Sequence, residues 1–191
     1  MQSLSLIQDS EAPQARVARL FEWLDPLEAA LLRRLLSRSR SGITRRLAAA
    51  VTFAGNGWLY LVLAIVVPMV AGLPGWKFVG VAGVTLVASF TIYPPLKRIL
   101  ARNRPCDYDS SLASPVRVLD RYSCPSGHCM TATAIAIPLA LIFPSMFLPV
   151  VGAWALIGWS RLLLGHHYPS DVLAGTVLGV IIALPVSMLM L

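Results

Sequence analysis

The sequence has few charged residues for its length, and they are clustered. Of 191 residues, 13% are charged and 57% are hydrophobic, whereas roughly 25% of a typical soluble domain is charged. Lys77 is the only charged residue between Arg46 and Lys97, and there is none between Met130 and Ser160. This scarcity argues against a soluble domain, because such long apolar stretches have no polar face to present to water.

Cysteine is also scarce. The three that occur are Cys106, Cys124 and Cys129, and they form neither a C-x-x-C pair nor a zinc-binding spacing. A disulfide scaffold and a zinc site are therefore excluded. Cys106 and Cys124 bracket a polar loop, and two interpretations are open for them: one disulfide bridge, if the loop faces an oxidising compartment, or two reduced thiols.

The apolar stretches predict an all-α polytopic membrane bundle with about five transmembrane helices. The spans are drawn at roughly residues 47–72, 78–96, 128–143, 146–163 and 170–190, since about 20 residues cross a bilayer core. Pro94 and Pro95 are expected to kink or end the second span, because each lacks an N–H and clashes with the preceding turn. A short helix carrying Lys97 to Arg104 would then resume beyond them.

The first 45 residues are predicted to form an arm outside the membrane domain at 46–191. Residues 1–14 are expected to be disordered. Residues 15–40 have apolar residues at helical spacing but too many charges to span a bilayer. This pattern is typical of an amphipathic helix lying on the membrane surface, and Pro26 is expected to interrupt it.

Alternating spans place the N-terminal arm, the loop 97–127 and the turn 161–169 on one face of the membrane. Fifteen of the 16 Lys and Arg residues lie on that face, and Lys77 lies on the other. The positive-inside rule therefore favours the cytoplasm for the crowded face. We expect an integral protein of the bacterial inner (plasma) membrane.

Three polar clusters on this face carry the candidate chemistry. The first is KRILARNRP at 97–105, in which Lys97 and Arg104 are seven residues apart. Because seven residues are close to two helical turns, both cations are expected on one helical face, where they suit an anion such as phosphate. The alternative is a basic interfacial anchor that reaches lipid headgroups.

The second cluster is PSGH at 125–128. Gly127 permits a tight turn with a free backbone N–H, Ser126 can act as a helix N-cap, and the helix begins at about His128. Such a helix start is an anion site, and His128 can donate a proton to a leaving oxygen. The alternative is a capping Ser-Gly pair beside an incidental histidine.

The third cluster is SRLLLGHHYPSD at 160–171. Arg161 ends the fourth span and Asp171 begins the fifth. His167 and Asp171 are four residues apart, so the carboxylate is expected to accept the imidazole N–H and leave the other ring nitrogen as a nucleophile. Asp171 has a competing role as the N-terminal charge of a helix. His166 is interpreted as a neighbour of the catalyst.

The three clusters together resemble the motifs of the type 2 phosphatidic acid phosphatase (PAP2) superfamily, whose pattern is K-x6-R-P, P-S-G-H and S-R-x5-H-x3-D. This sequence matches the pattern without gaps at Lys97, Arg104 and Pro105, at Pro125, Ser126, Gly127 and His128, and at Ser160, Arg161, His167 and Asp171. The resemblance covers the chain from about residue 50 to its end. It implies a haloperoxidase-like helical bundle.

The resemblance implies a metal-independent phosphatase acting on a lipid phosphate, with no cofactor and no nucleic-acid partner. By similarity, His167 attacks phosphorus and forms a phosphohistidine, Asp171 orients His167, and His128 protonates the leaving group. The residues implied to hold the phosphoryl oxygens are Lys97, Arg104, Arg161, Ser126 and Gly127.

The candidate substrates are undecaprenyl diphosphate, phosphatidate and phosphatidylglycerophosphate. Family members generally look like six-span proteins, often with an outward site, whereas five spans are predicted here. An outward site favours undecaprenyl diphosphate, and an inward site favours phospholipid precursors.

Two other functions remain open. A vanadate-dependent haloperoxidase uses a similar site, but the predicted spans argue against it because those relatives are soluble. A non-catalytic membrane protein that binds or transports phosphorylated lipids would be favoured by the loss of a motif residue, and none is missing.

Overall fold

A computed structural model describes residues 13–39, 41–114 and 116–191. Within these residues the regular structure is helical, with no strand. The helices are α1 (Pro13–Arg38), α2 (Gly42–Phe53), α3 (Leu59–Ala71), α4 (Leu73–Leu100), α5 (Pro105–Tyr108), α6 (Gly127–Ile142), α7 (Phe147–Leu163) and α8 (Pro169–Met190). The predicted all-α class is confirmed.

Five apolar segments correspond to the five predicted spans. Four are long and apolar enough to cross a membrane, namely Gly42–Ala71, Leu73–Tyr108, Pro144–Leu163 and Pro169–Met190. The fifth, α6, is apolar but has only 16 residues. The protein is therefore an integral membrane protein built as a helical bundle.

The short helix α6 lies at the centre of this bundle. It packs against α4, α7 and α8, and all its residues from Cys129 to Ile135 are buried. Gly179 of α8 lies against Met130 and Thr133, where a Cβ atom would come within 2.9 Å of the Met130 carbonyl oxygen. Helix-to-helix contacts of this closeness depend on small residues, and they surround α6 with protein on most sides.

The expected helix ends at proline are wrong, whereas the alternative of a kink at Pro94 and Pro95 stays a prediction. Pro94 and Pro95 do not end the second span, because α4 continues through both to Leu100 without a separate helix after them. Pro26 likewise lies inside the continuous helix α1. A proline removes one intrahelical hydrogen bond, but packing against neighbouring helices compensates for this loss in membrane bundles.

The end of α4 separates the two cations that were expected on one helical face. The helix ends at Leu100, and its C-cap Ala101 has a left-handed conformation with φ 47°. Arg104 has an extended backbone, with φ −82° and ψ 154°. Lys97 therefore projects from the helix and Arg104 from the segment after it. The prediction of a shared helical face is wrong because a left-handed cap intervenes.

Helix α1 packs onto the end of the bundle where α6 and α8 begin. Ala29, Leu32 and Leu36 form a buried cluster with Leu163 and Leu164 at the end of α7. The opposite face of α1 exposes Leu20, Trp23, Leu27 and Leu31. Two apolar faces are typical of a helix between protein and lipid, but its place on the membrane surface stays a prediction.

The boundary between the N-terminal arm and the membrane domain, at residue 45, also stays a prediction. The disorder expected at the N-terminus falls outside the described residues as far as residue 12, and α1 already begins at Pro13. The described part of the arm is thus helical.

Candidate active site

A cavity of about 440 Å³ lies at the end of the bundle where α6 and α8 begin. Its lining includes residues from all three sequence clusters, namely Lys97, Arg104, Gly127, His128, Arg161 and His167. Tyr60, Leu61, Leu86 and Phe90 of α3 and α4 form an apolar wall. Because successive spans cross the bundle in opposite directions, motifs that are far apart in sequence meet at this end.

His167 lies in the turn between α7 and α8 and is 1% exposed. Its Nδ1 lies 3.7 Å from Oδ2 of Asp171, which is too long for a hydrogen bond, and this nitrogen has no hydrogen-bond partner among the described residues. Oδ2 of Asp171 instead accepts the backbone N–H of Tyr168 at 2.8 Å. Asp171 therefore caps α8 and faces His167, but the expected hydrogen bond between the two side chains is not formed, and the orienting role of Asp171 stays a prediction.

The surroundings of His167 favour its neutral form. Burial, and next the positive charges of Arg161 and Arg104, hold the pKa of His167 well below its usual range. A neutral imidazole has a ring nitrogen with a free lone pair, which nucleophilic attack requires. Since Nδ1 faces Asp171, Nε2 is the nitrogen available to a substrate in the cavity.

The turn that carries His167 depends on Gly165. Gly165 has a φ of +62°, and a Cβ atom there would collide with the carbonyl oxygen of Leu112. The adjacent His166 is buried outside the cavity lining, and its Nε2 lies 2.8 Å from Oγ of Ser114 and 3.0 Å from the carbonyl oxygen of Val116. His166 thus fastens the loop before α6, in agreement with its interpretation as a neighbour.

His128 is held by a residue that sequence reasoning missed. Its Nε2–H donates to Oδ1 of Asn56 over 2.6 Å, and both side chains line the cavity. Asn56 belongs to a π-helical turn, Ala54–Trp58, that joins α2 to α3. Within it Gly57 has φ 129°, which favours glycine. In the sequence, the feature that could have indicated Asn56 is the polar tripeptide GNG inside an apolar span. π-helical turns within α-helices are frequent at functional sites.

Ser126 and Gly127 take different places around the start of α6. Ser126 is fully buried behind the cavity lining, and its Oγ accepts the backbone N–H of Cys129 at 3.5 Å as the N-cap. Gly127 begins the helix and lines the cavity, and the first N–H groups of a helix have no partner within it. The cap was predicted correctly, but direct phosphate contact by Ser126 finds no support in this arrangement.

Arg161 has hydrogen-bonding capacity to spare. It is 2% exposed, its Nη1 lies 3.4 Å from Oγ1 of Thr52, and its Nε has no partner in the described parts of the chain. Oγ1 of Thr52 also lies 2.9 Å from Oγ of Ser160, so α2 contacts the serine of the third motif by a hydrogen bond. A buried guanidinium with unused donors facing a cavity is suited to an anionic ligand.

Lys97 and Arg104 are both paired with Asp120, which sequence reasoning also missed. Nζ of Lys97 donates to Oδ1 of Asp120 at 2.6 Å, the hydroxyl of Tyr93 donates to Oδ2 at 2.5 Å, and Nη2 of Arg104 donates to Oδ1. Burial alone would raise the pKa of Asp120, but the hydrogen bonds from Lys97 and Tyr93 lower it to about 2. A carboxylate thus lies in the cavity beside the predicted phosphate ligands.

Arg102, a third cation of the first cluster, forms a buried network behind the cavity. Its Nη1 donates to Oδ1 of Asp171 at 2.6 Å and to Oγ of Ser170 at 2.7 Å. Its Nε donates to Asp25 at 2.9 Å and its Nη2 to Glu28 at 2.6 Å, both on α1. The N-terminal helix therefore contributes two carboxylates to the ion network that holds Asp171.

Cys106 and Cys124 are free thiols in this structure. Burial, and next the negative charge of Asp171, raise the pKa of Cys124 to about 12. Of the two interpretations left open by the sequence, the arrangement corresponds to reduced thiols.

Comparison with known proteins agrees with the three motifs. The family profile described as the PAP2 superfamily matches residues 78–190. The undecaprenyl-diphosphatase of Sulfolobus acidocaldarius is 34% identical over 59% of this chain and 57% of its own. The lipid A 1-phosphatase of Rhizobium johnstonii is 35% identical over 50% of this chain and 41% of its own. The decaprenylphosphoryl-5-phosphoribose phosphatase of Mycolicibacterium smegmatis is 34% identical over 62% of this chain and 62% of its own. The chain thus spans about 40 to 60% of the length of these relatives.

A solved structure has the same fold along nearly the whole chain. It is the transmembrane PAP2-type phosphatidylglycerolphosphate phosphatase of Bacillus subtilis, which superimposes with a TM-score of 0.68 over 92% of this chain and 91% of its own, at 22% identity. At that identity the likeness concerns the fold. The matching family profile covers more than half of the chain and all three motifs, and the protein therefore belongs to the PAP2 superfamily.

Proposed function

We propose that this protein is a lipid phosphate phosphatase that works without a metal ion and through a phosphohistidine on His167. The observation that carries the proposal is the cavity itself, in which a neutral imidazole, a second histidine and three cations lie beside an apolar wall. The phosphatase names of the relatives at 34 to 35% identity support the same reaction class.

In the first half of the reaction, Nε2 of His167 attacks the terminal phosphorus, and the bond from that phosphorus to the leaving oxygen breaks. His128, as an imidazolium that is protonated when the anionic substrate binds, gives a proton to the leaving oxygen and becomes neutral. The product is a lipid alcohol, or a lipid monophosphate when the substrate is a diphosphate. Lys97, Arg104 and Arg161 stabilise the charge on the three non-bridging oxygens in the transition state. The N–H of Gly127 at the start of α6 adds a further donor.

In the second half, water attacks the phosphohistidine and loses a proton to the now neutral His128. The N–P bond breaks, inorganic phosphate leaves, and His167 returns to its neutral form. The phosphorylated ring is cationic, so its Nδ1–H is attracted to the carboxylate of Asp171, and the 3.7 Å separation contracts to a hydrogen bond at this stage. Asp171 therefore acts when charge develops on the ring.

The apolar wall of the cavity suits the hydrocarbon part of a lipid. Leu61 of α3 and Phe90 of α4 line the cavity, and each is more than half exposed. A tail lying along these side chains would keep its apolar surface out of water while the headgroup reaches the cations. Undecaprenyl diphosphate, phosphatidate and phosphatidylglycerophosphate all have this division into a charged head and an apolar tail.

We also propose that the protein lies in a bacterial inner membrane with the cavity on the cytoplasmic side. The support is the distribution of charge, because nearly all Lys and Arg residues flank the end of the bundle that carries the cavity. An inward site favours phosphatidate or phosphatidylglycerophosphate over undecaprenyl diphosphate.

A substrate panel tests the proposed function. Purified protein in detergent with EDTA is given each of the three lipids, and released inorganic phosphate is measured. We expect release from at least one lipid by the wild type and none by His167→Asn. A folded wild-type protein that releases phosphate from no lipid phosphate would refute the proposal, and loss of activity in EDTA would refute its metal-independent form.

A further inference from the structure

We infer that Asp120 is an internal anion that occupies the phosphate-binding position and is exchanged for the phosphate of the substrate. The inference deepens the proposed function and rests on it, because it names the residue that sets the affinity of the site for phosphate.

The bonding of Arg104 is the first support. Its Nε donates to the carbonyl oxygen of Asp120 at 3.0 Å, its Nη1 to that of His166 at 2.6 Å, and its Nη2 to that of Tyr122 at 3.0 Å, in addition to the Asp120 carboxylate. Three of these acceptors belong to the backbone and hold the loop. The carboxylate is the one acceptor that a side-chain rotation can remove, so phosphate reaches Arg104 by replacing it.

The contrast with Arg161 is the second support. Lys97, Arg104 and Arg161 line one cavity, yet Asp120 pairs with the first two and makes no hydrogen bond to the third among the described residues. Within the described parts of the chain, the side chain of Arg161 has a single hydrogen-bond contact, at 3.4 Å with Thr52. An anion entering the cavity therefore meets Arg161, which has unused donors, and two cations, Lys97 and Arg104, that already bind a carboxylate. That carboxylate is negative like the entering anion and accepts hydrogen bonds from the same kind of donor.

The position of Asp120 permits the exchange. Its side chain is 37% exposed. Its neighbours Leu119 and Arg121 are also exposed, and the described residues 116–126 contain no regular helix. The carbonyl groups of Asp120 and Tyr122 remain bound to Arg104 when only the side chain turns outward. Rotation of one short side chain then suffices, and the loop does not have to unfold.

The exchange has a consequence for turnover. Inorganic phosphate, the final product, is a dianion among three cations and would leave slowly from a site with no competing anion. The returning carboxylate of Asp120 competes for Lys97 and Arg104 and so lowers the affinity for the product. Asp120 thus weakens phosphate binding in order to keep the site free.

Binding of inorganic phosphate to the purified protein in detergent tests the inference by calorimetry. Asp120→Asn keeps the size of the side chain and removes its charge, so we expect Kd for phosphate to fall by about tenfold or more. Asp107→Asn is the matched control, because Asp107 is an exposed carboxylate of α5 outside the cavity lining, and it should leave Kd unchanged. An unchanged or higher Kd in Asp120→Asn overturns the inference.

A second measurement separates exchange from simple repulsion. In an infrared difference spectrum of the wild type, phosphate should shift a carboxylate stretching band as Asp120 leaves Lys97 and Arg104. The same band should be missing from the difference spectrum of Asp120→Asn and present in that of Asp120→Glu. Phosphate that binds the wild type without any carboxylate shift shows that Asp120 stays in place, which refutes the exchange even if the Asn variant does not fold.

The two proposals fail in distinguishable ways. If no lipid is hydrolysed but phosphate binding tightens in Asp120→Asn with the expected infrared change, the proposed function fails and the exchange stands. If lipid is hydrolysed and the binding of phosphate is insensitive to Asp120, only the exchange fails.

Discussion

Arg102 and Asp171 form a 2.6 Å ion pair in which neither side chain is accessible to solvent. The other carboxylate oxygen of Asp171 faces Nδ1 of His167. The pair therefore sets the orientation of the carboxylate that the proposed nucleophile requires, although Arg102 itself lies behind the cavity. Asp25 and Glu28 of α1 also form ion pairs with Arg102, so three carboxylates share this one cation.

Replacing Arg102 should impair both stability and turnover. Arg102→Gln leaves three carboxylates near one another without their cation, and removal of one partner from a buried ion pair costs about 3–5 kcal/mol. Arg102→Lys keeps the charge but not the planar set of donors, so we expect a lower kcat with little change in KM. Thermal unfolding and lipid phosphate hydrolysis in detergent measure the two effects.

Arg98→Gln is the control for Arg102, because Arg98 is an exposed cation of the same helix end. It should change neither property. A fully active Arg102→Gln enzyme would contradict the positioning role of the ion pair.

The identity of the nucleophile predicts which variants form a phosphorylated enzyme. His167→Asn should form none, whereas His166→Gln should still form it because His166 bonds to the loop outside the cavity. Asp171→Asn should lower the rate of phosphorylation by roughly 100-fold or more, since the cationic ring loses its counter-charge. Acid quenching after mixing with a radiolabelled lipid phosphate measures the phosphohistidine. Labelled His167→Asn protein would assign the attack to another group.

Gly57 is expected to hold Asn56 beside His128 through its backbone conformation alone. A Cβ atom at this position meets nothing within 4 Å, but φ 129° costs a residue other than glycine about 1–3 kcal/mol. Gly57→Ala should therefore displace Asn56 from His128 and lower kcat, with a changed pH profile of turnover. Gly83→Ala, in the regular helix α4 with equally open space, should be neutral or slightly stabilising. Equal behaviour of the two variants would show that the π-helical turn does not support His128.

The two buried histidines of the α7–α8 turn predict a loss of stability in mild acid. Burial, and next the charge of Arg161, lower the pKa of His166 to about 3 and hold that of His167 well below its usual range. The unfolded chain therefore binds more protons than the folded chain below the usual histidine pKa of about 6.5. Stability should be highest above that pH and should fall as the pH decreases below it.

Thermal unfolding in detergent between pH 7 and pH 5 measures this dependence. His166→Gln removes one of the two groups, so its melting temperature should depend less steeply on pH. A melting temperature that rises on acidification over this range would contradict the buried neutral state of the histidines.

The membrane orientation predicts the accessibility of cysteines added on the two faces. Arg117→Cys, on an exposed part of the loop before α6, should react with an impermeant thiol reagent only after the cells are permeabilised. Ser145→Cys, exposed between α6 and α7 at the other end of the bundle, should react in intact cells. Both are made with Cys106→Ser, since Cys124 and Cys129 are buried. The reverse pattern would place the cavity on the outer face.

Several features of the fold could be predicted because their causes are local. Uninterrupted apolar runs predict spans regardless of what they pack against, and Ser126 followed by glycine at an apolar run predicts a helix start. Prolines gave wrong expectations for the opposite reason. Whether Pro26 or Pro95 interrupts a helix depends on compensation by neighbouring helices, which is a tertiary property.

The sequence by itself determined the spans, the helix caps and the spacing of three polar clusters, because each follows from residues within one or two helical turns of one another. Only the tertiary structure decided which charges meet. Asp120 lies 23 residues from Lys97, and Arg102 lies 77 residues from Asp25, and no local rule predicts such pairs. A buried cation takes its partner from whichever helix or loop packs against it, so the carboxylate in the cavity and the ion network behind it emerge only when the bundle is assembled.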